Sequence, residues 1–173
     1  MAIPGNESLP AAGTYEIDPT ASTVSFSMRT VFGLLPVHGT VTIEQGRITV
    51  AEVAEESSVD VSIDAASFDS GIKKRDDHVK SADYLDVARH PEMAFRSRRL
   101  ERSGDAHATL YGELTACGVT QPVAVTLGAV AHDEKRLTAR GTATIDRYAF
   151  GVTKTKGMTG RRLKVTLEVV ANL

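Results

Sequence analysis

Apolar and polar residues alternate with a period of two over most of this 173-residue chain. Val24, Phe26 and Met28 alternate with Ser25, Ser27 and Arg29; Val59, Val61 and Ile63 with Ser58, Asp60 and Ser62. The same rhythm returns at Leu110, Gly112 and Leu114, at Val123, Val125 and Leu127, and at Leu137, Ala139, Gly141, Ala143 and Ile145. It closes the chain at Leu163, Val165, Leu167 and Val169. Side chains two residues apart lie on one face of a strand, so each apolar set marks a face turned toward a common interior.

Turn signals separate these segments at Gly33, Gly46, Gly104, Gly118 with Pro122, and Gly157 with Gly160. Many short alternating strands punctuated in this way predict an antiparallel barrel or sandwich. Helix is rare: a short one is predicted from about Lys73 to Ala82, with a further turn near Tyr84 to Val87. Residues 1–12, with Pro4, Gly5 and Pro10 and no periodicity, read as a flexible N-terminal arm, leaving 13–173 as one domain. No repeat of fixed period and no low-complexity segment interrupts that domain.

Composition adds three constraints. No apolar run reaches the ~18 residues of a membrane-spanning helix. The N-terminus lacks a basic segment followed by an apolar one, so it does not read as a secretory signal, and the expected location is cytoplasmic. A single cysteine, Cys117, cannot form an internal disulfide. The net charge of −2 conceals an asymmetry: residues 1–87 carry 14 acidic and 6 basic side chains, and residues 88–173 carry 8 and 14. In a closed sheet these charges read first as outward polar positions of the strands; gathered into an acidic wall and a basic wall, the latter would suit anionic lipid headgroups at a membrane surface or a pyrophosphate. Nucleic acid is not an expected partner, because the basic half lacks interleaved aromatics for base stacking.

Candidate chemistry is sparse. Asp76, Asp77 and His78 are neighbours in sequence, but adjacent helical side chains point about 100° apart. Asp76 or Asp77 is expected to cap and salt-bridge the helix while His78 packs against the sheet. No Cys-x-x-Cys, His-x₃-His or Gly-x-Ser-x-Gly spacing occurs, so no metal, cofactor or serine-hydrolase chemistry is expected. Cys117 has no nameable base beside it and reads as inert packing. Lys154 to Gly160 lacks the order of a phosphate-gripping loop and reads as a mobile connection on a rim.

Four segments then give a family resemblance. They are Tyr15-Glu16-Ile17-Asp18-Pro19; Arg75-Asp76-Asp77-His78-Val79-Lys80-Ser81-Ala82-Asp83-Tyr84-Leu85 with His90-Pro91-Glu92-Met93-Ala94-Phe95; Gly112-Glu113-Leu114-Thr115 with Gly118-Val119-Thr120-Gln121-Pro122-Val123; and Ile145-Asp146-Arg147-Tyr148-Ala149-Phe150-Gly151-Val152. In this order, from Thr14 to about Ala171, the chain resembles the YceI-like family of lipocalin-like polyisoprenoid-binding proteins. The resemblance implies an all-β fold: a single antiparallel lipocalin-like β-barrel of about eight strands with a short helical insertion. It also implies a non-enzymatic role in binding, storing or transporting a long apolar ligand such as an isoprenoid quinone, polyprenyl lipid or fatty amide, and it is compatible with a homodimer. Ala21, Thr30 and Cys117 stand where the family pattern has histidine, so any polar site those histidines build in relatives is altered here.

Small residues at inward positions (Gly112, Ala139, Gly141, Ala143, Ala171) and the absence of Trp leave room inside such a barrel. The wall expected to contact ligand comprises Phe26, Met28, Phe95, Leu110, Leu114, Val125, Leu127, Ile145 and Phe150, with Leu163, Val165 and Leu167 from the last strand. Two other readings stand beside this one. One is a small-substrate enzyme with His78 or Asp146 as base; the other is a filled barrel acting through its basic face in interaction or stress response.

Overall fold

The computed structural model describes residues 10–30, 33–103 and 107–173. The expected arm thus falls outside the described residues as far as residue 9, and so does the turn expected at Gly104. Nine strands form one antiparallel sheet: β1 (Gly13–Ile17), β2 (Thr23–Thr30), β3 (Leu35–Val50), β4 (Ser58–Asp69), β5 (Glu92–Ser103), β6 (His107–Ala116), β7 (Val119–His132), β8 (Arg136–Asp146) and β9 (Arg162–Asn172). Helix α1 (Lys73–Lys80) links β4 to β5.

Each strand from β2 to β9 pairs with the next, and β9 pairs back onto β2, so the sheet closes on itself. Strand β1 takes no position of its own. It pairs with Arg47–Val50 of β3 and with Ala171 and Asn172 of β9, while β2 pairs farther along the same two strands. The two are one strand broken at Asp18-Pro19, and the ring has eight positions. Pro19 has no N–H for a ladder. The Asp18 carboxylate holds the break by accepting from the Thr20 N–H at 2.9 Å and the Thr20 hydroxyl at 2.8 Å.

Two signals in the chain mislead when read locally. Gly46 is no turn; it lies buried within the 16-residue β3. A Cβ there would come within 2.6 Å of Ile17 Cδ1, so glycine is what lets β1 seat. In β4, Asp64 pairs with Thr42 but Asp69 pairs with Thr40, leaving a bulge between. Ser67 Oγ fills the gap by accepting the Thr42 N–H at 2.7 Å. The bulge resets the inward parity and turns Phe68 into the barrel, stacked on Phe26 at 4.8 Å between ring centres.

The expected roles around α1 also change. Neither aspartate caps the helix: Ile72 occupies that position with no side-chain hydrogen bond. Asp76 is buried and accepts from the Ser70 N–H (3.0 Å) and hydroxyl, while Arg75 Nε donates to Ser70 Oγ at 2.8 Å. Asp77 pairs with Lys73 at 2.7 Å on the open face. His78 does not pack against the sheet. It is exposed, with Nε2 3.1 Å from Asp83 Oδ2 and its ring edge-on to Tyr84.

The antiparallel order gathers alternate connections at one end of the barrel. The links β2–β3, β4–β5 (with α1), β6–β7 and β8–β9 share the α1 end; β3–β4, β5–β6 and β7–β8 share the opposite end. Asp60 of β4 lies 3.8 Å from Arg96 and 3.3 Å from Arg98 of β5, so the acidic and basic halves meet in ion pairs at that seam.

Candidate functional site: an apolar cavity through the barrel

Among the described residues most of the buried apolar side chains fall into three clusters, centred on Tyr15 and Ile43, on Leu110 and Val125, and on Phe150 and Ala116, while Phe26 and Phe68 stack on each other apart from them. Residues of all three line one cavity of about 1350 Å³. Ligand pockets commonly run ~300–1,000 Å³, so this one exceeds what a compact small molecule needs.

All twelve side chains expected in the wall line this cavity. Phe26, Leu110, Val125 and Phe150 are buried; Met28, Phe95, Leu114, Leu127, Ile145, Leu163, Val165 and Leu167 are half-buried. That second group decides the character of the interior. These residues face inward from paired strands, yet water-sized space reaches them, because among the described residues no side chain from the opposite wall fills the centre. Of the small residues expected to leave room, Ala139, Gly141 and Ala143 line the cavity. Ala171 does not; it is fully buried against the cluster of Tyr15, Ile17 and Leu137. Gly112 serves a close approach instead, since a Cβ there would lie 2.4 Å from the Arg96 carbonyl oxygen.

At the α1 end polar side chains join the lining, Thr30, Arg75, His78, Tyr84, Arg147 and Thr155, among Val79, Leu85, Val152 and Met158. Sequence patterning did not pick out Phe68, Tyr84 or Arg147. Phe68 is hidden by the bulge in β4, for which the Asp64-Ala65-Ala66-Ser67 turn signal is the only trace. Arg147 is 5% exposed. Its Nε donates to the Gly160 carbonyl at 2.8 Å, Nη1 to Val152 at 2.9 Å and Nη2 to Thr159 at 3.1 Å. One guanidinium therefore laces the β8–β9 connection over the end of the barrel, and it does so through neutral carbonyls. The Tyr84 hydroxyl bonds Thr155, joining that connection to the segment after α1. The 154–160 stretch contributes Thr155, Met158 and Thr159 to the rim. Exposed lining residues, where the cavity meets the surface, occur at the α1 end (His78, Thr155, Met158) and at the opposite end (Arg102, His107).

The three positions that lack the family histidine do not share one place. Thr30 and Cys117 line the cavity, on opposite sides of the ring, whereas Ala21 is exposed in the break between β1 and β2. Cys117 begins a two-residue hairpin with Gly118, at φ 52° and 75°. Both residues are left-handed, a conformation that a cysteine adopts at some cost. Burial, reinforced by the Asp86 carboxylate, pushes the Cys117 thiol up from its ordinary range, which disfavours the reactive thiolate. Asp146 is engaged: Arg161 grips both its oxygens (3.0 Å from Nε, 2.8 Å from Nη2 to Oδ2), and this pairing holds its carboxyl below the usual range. A carboxylate so held is a weak proton acceptor at neutral pH. Among the described residues no three His, Cys, Asp or Glu side chains converge as a metal site.

Comparison with known proteins agrees with this architecture. The model of the YceI-like domain family matches residues 15–171. A UPF0312 protein of Pseudomonas putida (strain GB-1) is 33% identical over 139 residues, covering 77% of this chain and 72% of that one. A UPF0312 protein of Ectopseudomonas mendocina (strain ymp) is 31% identical over 120 residues, covering 66% and 63%. Among solved structures, BcnA of Burkholderia cenocepacia superposes with a TM-score of 0.81 at 26% identity, covering 89% of this chain and 98% of BcnA. A polyisoprenoid binding domain from Saccharophagus degradans, implicated in plant cell wall breakdown, superposes with a TM-score of 0.69 at 15% identity, covering 91% and 97%; at that identity the likeness is one of fold.

Proposed function

The chain belongs to the YceI-like domain family, and from that premise we propose that it binds, stores or carries one long apolar molecule along the barrel axis. Isoprenoid quinones, polyprenyl lipids and fatty amides are the candidate classes. The observation that carries the reading is the cavity of about 1350 Å³ with its wall of aliphatic and aromatic side chains. Each methylene moved from water into such surroundings gains about 0.8 kcal/mol, so a chain of many carbons binds tightly without a charged contact. The polar end formed by Arg75, His78, Tyr84, Arg147 and Thr155 is suited to the ligand's head, which fixes the direction of insertion. A solved relative of the same fold is named as a polyisoprenoid binding domain, which points to the same ligand class. We read the protein as a binder and not a catalyst. Asp146 is held through both oxygens by Arg161 and is poorly set up to take a proton, and His78 stands exposed at the rim beside Asp83, away from the apolar wall that would hold the ligand chain.

Organic extraction of the purified protein, followed by mass spectrometry, tests this. One apolar species at a stoichiometry approaching one per chain is the expected result. A protein that yields no lipid and takes up none when long-chain ligands are offered would overturn it.

A further inference from the structure

The charge asymmetry noted along the sequence becomes, in the fold, a polarity along the barrel axis. At the α1 end, residues 70–91 and 147–161 together carry nine basic and four acidic side chains. At the opposite end, residues 51–57 and 133–135 carry one basic and five acidic. The acids at the α1 end are largely engaged within the protein. Asp76 is buried on Ser70, Asp77 pairs with Lys73, and Asp83 sits between His78 and Lys154. The β8–β9 connection has no acidic residue after Asp146, which pairs with Arg161, while Lys154 and Lys156 are exposed on it.

Large apolar side chains project from the same end. Leu34 is 76% exposed, Leu35 53%, Ile72 53% and Met158 45%. These are not loose tips. The Gly160 N–H bonds the Arg29 carbonyl at 2.7 Å, stitching the Met158 loop to the end of β2, and Arg29 Nη1 bonds Gly33 at 3.3 Å. Met158 also lines the cavity, so the apolar rim and the apolar interior are continuous there. Val53 and Leu173 are exposed at the other end too, but Val53 stands among Glu52, Glu55 and Glu56.

We infer that the α1 end of the barrel docks on anionic lipid bilayers, with Leu34, Leu35 and Met158 entering the headgroup layer and Lys154 and Lys156 meeting lipid phosphates. The inference rests on the carrier reading above and adds where the ligand is exchanged. Charge complementarity selects the surface. Screening confines the attraction to charges within about 8 Å of the membrane at physiological salt, so only an end-on approach by the basic rim gains from it. The acidic end is repelled from the same surface. A greasy ligand then passes between bilayer and cavity beside Met158 without crossing water.

Partitioning onto vesicles tests the docking separately from the cargo. Vesicles of phosphatidylcholine with phosphatidylglycerol are compared with phosphatidylcholine alone, using the full chain. Expected is binding to the mixed vesicles that weakens by about tenfold or more between about 0.05 M and 0.5 M NaCl. Lys154→Gln with Lys156→Gln lowers the partition coefficient roughly 30-fold, at about 1 kcal/mol per charge, and Leu34→Asp lowers it roughly tenfold. Glu55→Gln with Glu56→Gln, at the far end, does not lower it. None of these residues lines the cavity, so uptake of a fluorescent fatty-acid analogue delivered from ethanol stays unchanged in every variant. Absence of vesicle binding, equal binding to neutral vesicles, or indifference to the Lys154/Lys156 and Leu34 changes would overturn the docking. Loss of fatty-acid uptake in the unmodified protein would instead overturn the carrier reading.

Discussion

Ala143→Phe distinguishes a hollow barrel from a filled one by the sign of its effect on stability. Ala143 lies on β8 in a row with Val165 of β9 and Phe26 of β2, facing inward, and it lines the cavity. Its packed neighbours are Leu110 and Val125. A phenyl group there projects into open space of about 1350 Å³. It gains burial of apolar surface worth roughly 1–2 kcal/mol, which raises the melting temperature of the empty protein by roughly 2–8 °C for a domain of this size. The ligand loses what the ring takes. If the ring displaces about four methylenes, the cost is about 3 kcal/mol, a roughly 200-fold rise in Kd. Thermal unfolding of the delipidated variant and titration with a fluorescent long-chain fatty acid read the two effects. In a filled barrel the same substitution overpacks the core and destabilises by roughly 1–3 kcal/mol. A lower melting temperature with unchanged affinity would refute the reasoning.

Arg147→Met should remove about 3–5 kcal/mol, because three carbonyls lose a charged donor at once; a fall in melting temperature of roughly 10 °C is expected, and a change under 2 °C would contradict it. Cys117 should react with maleimide at pH 8 more slowly than an exposed cysteine, since its thiol is pushed up and the thiolate is scarce. It should react more slowly still when a fatty acid is bound, and labelling at the rate of free glutathione would refute that. Asp146→Asn should flatten the acid limb of the stability profile. Its carboxyl is held below 3.8 in the fold, so its contribution is complete above the unfolded value and is lost as pH falls through the lowered one. Parallel melting-temperature curves for variant and parent below pH 4 would show that the Arg161 pair contributes nothing.

The fold was legible because each strand's apolar period of two survives pairing. The inward sets on β2, β4, β6, β8 and β9 could be read directly, and so could the wall positions they supply. Reading failed where local pattern and tertiary demand diverge. Gly46 looks like a turn and is instead the close contact under Ile17. Phe68 is out of phase with Val61 and Ile63 until the bulge after Asp64 shifts the register. Arg147 carries a charge and so reads as solvent-facing; only the folded β8–β9 connection supplies its three carbonyls. The charge asymmetry was visible as numbers but assigned to walls. Antiparallel connections alternate between ends, so loops distant in sequence combine their charges at one rim, which a division of the chain into halves hides.

A crystal structure of the delipidated protein after addition of a long-chain fatty acid or polyprenol tests the central claim most directly. Continuous density along the barrel axis is predicted, contacting Leu114, Val125, Leu127 and Val165, with the head among Arg75, Tyr84 and Arg147 at the α1 end. An interior closed by the protein's own side chains, with ligand density only on the outer surface or nowhere, would contradict the account.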